Sequence, residues 1–369
     1  MLFSVVQLME NPLDTSSDAL QPTTPPLAQG TTADAVNVDS SAGLAPLTDF
    51  QQRTDFSQLS AATEAVRREL AKVIVGQHEV VELMLTALLA GGHILLEGVP
   101  GVAKTLTAKL LARTLQVSFS RLQFTPDLMP SDVLGTSIFR PQRGEFEFRP
   151  GPIFASVVLI DEINRAPAKT QSALFEVMEE HHVTQDGTTY PVPEPFLVLA
   201  TQNPVEQEGT YRLPEAQLDR FLFKLNVGYP STEEEVAILQ GHHSGFGGVP
   251  TEVVQPVLSA HQLADMRQQV RQQHIEPKLL EYIARLVGQT RAHKGLYLGA
   301  SPRASIALLN GAKALAALRG RDFVTPEDIQ YLAPVVLRHR IQLTPEREIE
   351  GGTTDDIVKQ IMQQIEVPR

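Results

Sequence analysis

Apolar residues recur at three- and four-residue intervals in "SQLSAATEAVRRELAKVIVGQ" and "HEVVELMLTALLAGG", the spacing of amphipathic helices, and Gly91-Gly92 closes the second. "HILLEG", from His93, is a short unbroken apolar run and reads as a buried strand. A glycine-rich loop and a helix from Thr105 to Leu115 follow it. "SVVLIDE" and "PFLVLATQNP" are two further buried strands, separated by a helix from about Pro167 to Glu180 and by a hairpin, "HHVTQDGTTYPV", turning at Asp186-Gly187. "FLFKLNVGY" is a fourth strand. Buried strands separated by helices predict an α/β fold with a parallel, helix-covered sheet, here over 57–229. Beyond Tyr229 the strand pattern stops. "STEEEVAILQ" opens with Ser231 and Glu234 spaced as a capping box, and "VTPEDIQYLAPVVLRHRI" with Thr325 as cap, Pro326 at the first helical position and Asp328 in the first turn. An all-helical second domain over 230–345 is expected, then a tail, 346–369, containing one more helix, "DDIVKQIMQQIE".

Residues 1–56 read differently. The first Lys or Arg is Arg53, whereas Glu10, Asp14, Asp18, Asp34, Asp39 and Asp49 are acidic, within a stretch rich in Pro, Ser, Thr and Ala. Such a composition predicts disorder. It supplies six of the twelve net negative charges of the 369-residue chain, and the acidic balance argues against a broad nucleic-acid footprint. At 42% hydrophobic residues the remainder can bury a sizeable core. With no cysteine, neither a disulfide framework, a thiolate metal site nor a cysteine nucleophile is available. No apolar run reaches the roughly 18 residues of a membrane helix, and "MLFSVVQLME" has no positive charge ahead of its apolar stretch, so a cytoplasmic protein without membrane insertion is expected.

The candidate chemistry begins at Gly98-Val99-Pro100-Gly101-Val102-Ala103-Lys104-Thr105-Leu106. This is a phosphate-binding loop with alanine where the second glycine usually stands. In such a loop successive backbone N–H groups and a helix N-terminus converge on phosphate oxygens, Lys adds charge and Ser/Thr holds Mg²⁺. Ala103 keeps the N–H and is tolerable at negative φ. Some sixty residues on, "VVLIDE" ends a buried strand in adjacent carboxylates, costly without an ion or partner. In a phosphate-loop enzyme Asp161 would hold Mg²⁺ together with Thr105, and Glu162 would orient and deprotonate the attacking water. At the end of the next strand, in "ATQNP", Asn203 is the candidate to bond the water or the γ-phosphate. His181-His182 and His242-His243 lack a set of further ligands at metal spacing and read as solvated or hairpin residues.

"IVGQ", "HILLEGVPGVAKT", "LQFTPDLMPSDVLGT", "FRPGPIF", "VVLIDEINRAPAKTQSALFEVMEE", "VLATQNPVEQEGTYRLPEAQLDRF" and "GASPRASIAL", in this order, resemble the MoxR family of AAA+ ATPases over about 57–345. Alanine at 103 is common in that family; Arg212, where proline is more typical, is a departure. The resemblance implies an αβα AAA+ core with a helical lid, a ring of six subunits with ATP between them, and Val75 and Gly76 near the adenine. It gives Asn203 the sensor-1 role, Arg220 of "LDRF" the role of an arginine finger on a neighbour's γ-phosphate, and Arg303 of "SPR" that of the lid's sensor-2 arginine. "TSIFRPQRGEFEFRPGPI" would be a loop within the second core helix, facing the pore or substrate as the Asp186-Gly187 hairpin would. Such relatives look like chaperones that assemble or activate a client protein, often beside a protein with a von Willebrand factor A domain. A DNA motor and a slowly hydrolysing, nucleotide-gated scaffold are the alternatives.

Overall fold

The computed structural model describes residues 55–99, 101–203, 211, 213–243 and 250–368. The expected disorder of the first 56 residues therefore falls almost wholly outside the described residues, as do Pro100 and Arg212. The first part of the chain runs α1 (Ser57–Ala71), α2 (His78–Ala90), β1 (His93–Gly98), α3 (Lys104–Thr114), β2 (Phe119–Gln123), α4 (Pro130–Leu134), β3 (Gly135–Arg140), β4 (Glu145–Pro150), β5 (Val157–Asp161) and α5 (Ala168–Glu180). It continues with β6 (His182–Gln185), β7 (Thr188–Pro191), β8 (Leu197–Gln202), α6 (Glu215–Leu218) and β9 (Phe221–Val227). Then come α7 (Thr232–His243), α8 (Pro250–Val253), α9 (Ala260–Gln272), α10 (Pro277–Ala292), β10 (Leu296–Leu298) and α11 (Pro302–Leu318). The last elements are α12 (Pro326–Leu337), β11 (Gln342–Leu343), α13 (Pro345–Ile349) and α14 (Thr354–Gln364).

Five strands form one parallel sheet in the order β2-β5-β8-β1-β9. The continuous apolar runs of β1, β5 and β8 occupy its centre because helices cover both faces. Alternate residues feed two separate cores: Ile94, Leu96, Val157, Leu159, Leu197 and Leu199 face one, Leu95, Val158, Ile160, Val198 and Ala200 the other. The first core also takes in α1, α2, α3 and the helices after β9, so the sheet and the helical region pack through shared apolar side chains. Glu82 of α2 adds a polar tie, accepting from Arg67, Arg319 and Tyr331. All the described residues lie in one compact unit.

Three elements differ from the sequence expectation. The edge strand β2 is a fifth strand; of "FSRLQ" only Leu122 is buried, so the segment lacks the apolar run that marks the others. "TSIFRPQRGEFEFRP" is not a loop within a helix: it follows the five-residue α4 as the antiparallel hairpin β3–β4, with Phe139 paired to Phe146. This hairpin touches the predicted one, β6–β7, through the stacked rings of Phe148 and Tyr190, 4.3 Å apart, and through a Ser137–Asp186 hydrogen bond. The region after Tyr229 is not all helical, because β10 and β11 pair as a short two-stranded sheet. The C-terminal helix α14 buries Ile357, Val358 and Ile361 against this region.

Candidate functional site

The carboxyl ends of β1, β2, β5 and β8 open onto a cavity of about 420 Å³. Parallel strands bring these ends to one edge, and β1 leads directly into the loop that starts α3. Gly98, Gly101, Val102, Ala103, Lys104, Thr105 and Leu106 form one wall; Asp161, Glu162, Thr201 and Asn203 face them, with Arg121 and Gln123 from β2 beside them. Val99 is half-buried and packs toward the core. Every described residue assigned to the loop and the two strand-end motifs is thus brought together, Val99 alone turning inward.

The loop is built by two glycines for different reasons. A side chain at Gly98 would meet the carbonyl oxygen of Val227 on β9 at 2.2 Å, so close strand approach excludes one. Gly101 has open space around it but φ +88°, where L residues are strained. Ala103 also lies in the left-handed region, φ +56° and ψ +18°, as the residue preceding α3. The expected negative φ is therefore incorrect. Turning the loop into the helix demands the left-handed conformation at this position, and alanine bears a strain of about 1–2 kcal/mol there. Lys104 donates to the Gly98 carbonyl at 2.7 Å; its burial lowers the ammonium pKa, opposed by the charges of Asp161 and Glu162.

At the opposite wall, register sets the geometry. Gln123 lies beside Asp161 across β2 and β5, and Ile160 beside Ala200 across β5 and β8. Arg121 Nε pairs with Asp161 Oδ2 at 2.7 Å. The Thr201 hydroxyl donates to Asp161 Oδ1 at 3.3 Å and accepts from the Glu162 N–H at 3.0 Å, bridging the two acidic residues. Glu162 itself has φ +58°, and its carboxylate accepts from Gln123 Nε2 at 2.8 Å and pairs with Arg165 Nε at 3.0 Å. Sequence reasoning singled out Asn203 and passed over Thr201, Arg121 and Gln123. The side-by-side pairing of β2 with β5 gives the last two their place, and nothing local in "FSRLQ" announces it.

Val75 and Gly76 are not among the residues lining this cavity. Gly76 borders a separate pocket of about 40 Å³ with Leu70, Ile74 and Val81, room for about three waters. The Glu234 carboxylate stands against Gly76, where an added side-chain carbon would meet it at 2.1 Å. Gln77 ties the segment to the phosphate loop by donating to the Val102 carbonyl at 2.9 Å.

Arg220 and Arg303 lie elsewhere. Arg220 precedes β9, whose first residue pairs with His93 and whose last pairs with Gly98. The seven residues of β9 hold Arg220 about 20 Å from the phosphate loop, at the opposite edge of the sheet. Its guanidinium donates to the Phe175 carbonyl and to Glu179 Oε2, both at 3.0 Å. Arg303, at the start of α11, donates to the other oxygen of the same carboxylate, Glu179 Oε1, at 3.0 Å. The two arginines are therefore joined to each other, and neither lines its own chain's cavity.

A strand-loop-helix with Lys-Thr, paired carboxylates two strands over, across β8, and a separate arginine pair is the arrangement of a nucleotide-binding fold. Comparison with known proteins agrees. The family described as "ATPase family associated with various cellular activities (AAA)" matches residues 93–223, and "AAA lid domain" matches residues 288–361. Chaperone MoxR1 of Mycobacterium tuberculosis is 47% identical over 310 residues, 82% of this chain and 81% of its own. The chain belongs to the MoxR family of AAA+ ATPases. A Bacillus subtilis protein, YeaC, is 50% identical over 84% of this chain and 95% of its own. A crystal structure of a Cytophaga hutchinsonii protein, 44% identical, superposes with a TM-score of 0.79 over 85% of this chain and 97% of that one. The other histidine pairs take ordinary roles within the MoxR-type fold: His181 bonds Glu194, His182 bonds the Glu180 carbonyl, and His242-His243 end α7. No described helix is long and apolar enough to cross a membrane.

Proposed function

We propose that this protein binds ATP in the cavity at the carboxyl edge of the sheet, hydrolyses it with Mg²⁺ and uses the cycle to remodel, assemble or activate a client protein. The donor set fits the nucleotide: loop N–H groups and Lys104 suit the phosphates, while the Thr105 hydroxyl and the Asp161 carboxylate are hard oxygen ligands suited to Mg²⁺. Bound there, Mg²⁺ would neutralise charge on the β- and γ-phosphates. Glu162 orients and deprotonates the attacking water, Lys104 stabilises the charge that develops, and Asn203, with Thr201 beside it, holds the γ-phosphate side of the cleft. Arg121, which pairs with Asp161 Oδ2, would have to yield that oxygen for Asp161 to hold Mg²⁺.

The observation that carries the assembly part is the position of Arg220 and Arg303, a strand's length from their own phosphate loop and joined through Glu179. An arginine there serves catalysis only by reaching a neighbouring subunit's nucleotide, so both act in trans, in a ring of six. An arginine finger in related phosphate-loop systems contributes on the order of 10³ to 10⁵ in rate. The name of MoxR1 as a chaperone supports a client-directed role; a cytoplasmic setting and a von Willebrand factor A protein as accompanying partner, proposed with it, rest on the family resemblance alone.

The test is turnover against protein concentration for the wild type, Glu162→Gln and Arg220→Ala, with the size of each species measured in ATP. Cooperative, Mg²⁺-dependent hydrolysis lost in both variants, with Glu162→Gln still binding ATP and forming rings, is expected. Turnover independent of concentration and of Arg220 would overturn the shared site.

A further inference from the structure

Glu179 stands one residue from the C-terminal end of α5, half-exposed, and its two carboxylate oxygens are divided between Arg220 and Arg303, each 3.0 Å away. The backbones behind these arginines are fixed independently of it. Asp219 accepts from Ser301 at 2.8 Å and from Arg340 at 2.7 Å, and Arg340 is nine-tenths buried. Glu179 is therefore not needed to hold the two segments together; it supplies negative charge where two guanidiniums converge. A carboxylate and a phosphate offer guanidinium the same edge of paired oxygens. Ile306, one helical turn beyond Arg303, is exposed.

We infer that Glu179 is a positioning residue that occupies, in the separate subunit, the place taken by a neighbour's γ-phosphate in the assembled one. The inference rests on the trans role proposed for Arg220 and Arg303. In the free subunit the carboxylate keeps the two arginines paired and pre-oriented; on assembly the nucleotide phosphate displaces it. Assembly then competes with an internal anion, and only a nucleotide carrying the γ-phosphate wins that competition. Glu179 thereby sets the ATP concentration at which subunits associate.

The experiment uses the full-length chain with Glu162→Gln, so that ATP persists, and measures by sedimentation the ATP concentration giving half-maximal assembly. Adding Glu179→Gln is expected to lower that midpoint by about three- to tenfold, the scale of two half-exposed ion pairs released. In an Arg220→Ala, Arg303→Ala background the same change is expected to have no effect, which ties it to the two arginines; a merely structural role for Glu179 would raise the midpoint in the wild-type arginine background instead of lowering it. A midpoint unchanged or raised by Glu179→Gln, with the circular dichroism of the fold intact, overturns the inference. Arg220→Ala measured alone separates the two levels. If it abolishes turnover while Glu179→Gln does nothing, only the role of Glu179 falls; if it leaves turnover and assembly unchanged, the trans reading falls and this one with it.

Discussion

Ala103 shows how a single residue can satisfy a motif while bearing a conformational cost. Its N–H remains in the loop, but its φ of +56° is one that glycine adopts freely and a branched side chain resists. Ala103→Gly is accordingly expected to keep nucleotide affinity and to leave stability within about 1 kcal/mol of wild type, relief of strain being offset by the freer unfolded chain. Ala103→Val is expected to lose at least about 1 kcal/mol and to weaken ATP binding. Urea unfolding and titration with a non-hydrolysable ATP analogue check both. The identities of Lys104, Thr105, Asp161 and Glu162 were legible as chemistry because their spacing is local. The sign of one dihedral was not, since it depends on the angle at which β1 hands the chain to α3.

Between elements, the informative residue is His93. Lying at the start of β1, it bonds the Met178 carbonyl of α5 at 3.0 Å and accepts from the Val198 N–H of β8 at 3.0 Å, so three elements meet on one imidazole. Burial pushes its pKa down from 6.5 to about 4. The unfolded chain takes a proton here below pH 6.5 that the folded chain refuses until about pH 4. This contribution to stability is therefore full above pH 6.5 and is lost as pH falls from 6.5 to 4, amounting to about 3 kcal/mol. His93→Gln is expected to show a correspondingly shallower loss of unfolding free energy between pH 7 and pH 4.5, measured by urea denaturation at each pH. The central strands were readable because burial on both faces leaves them continuously apolar. By contrast β2, β3–β4 and β10–β11 escaped notice: each is at an edge or in an isolated pair, where half or more of the side chains meet solvent and the pattern dissolves.

For the whole molecule, the link that matters joins the segment before β9 to the helices after it. Arg340 places its guanidinium on the Asp219 carboxylate and on the carbonyls of Asp219, Phe221 and Leu222. Burial lowers its pKa, and Asp219 opposes that shift. Arg340→Met is expected to cost about 3–5 kcal/mol in unfolding free energy, because it leaves the largely buried Asp219 carboxylate without its charged partner, holding only Ser301, and takes a donor from the Asp219 and Leu222 carbonyls, and thermal melting beside wild type measures it. The same link decides which chemistry the two arginines can do. The sequence by itself determined the α/β class, the phosphate loop and the paired carboxylates, because periodicity and short-range spacing carry their own physical meaning. Only the tertiary structure decided that β2 brings Arg121 and Gln123 to Asp161 and Glu162, that Gly76 faces Glu234, and that Arg220 and Arg303 share Glu179. Those contacts join residues from 39 to 158 positions apart, and no local pattern encodes which strand edge or helix end will meet another.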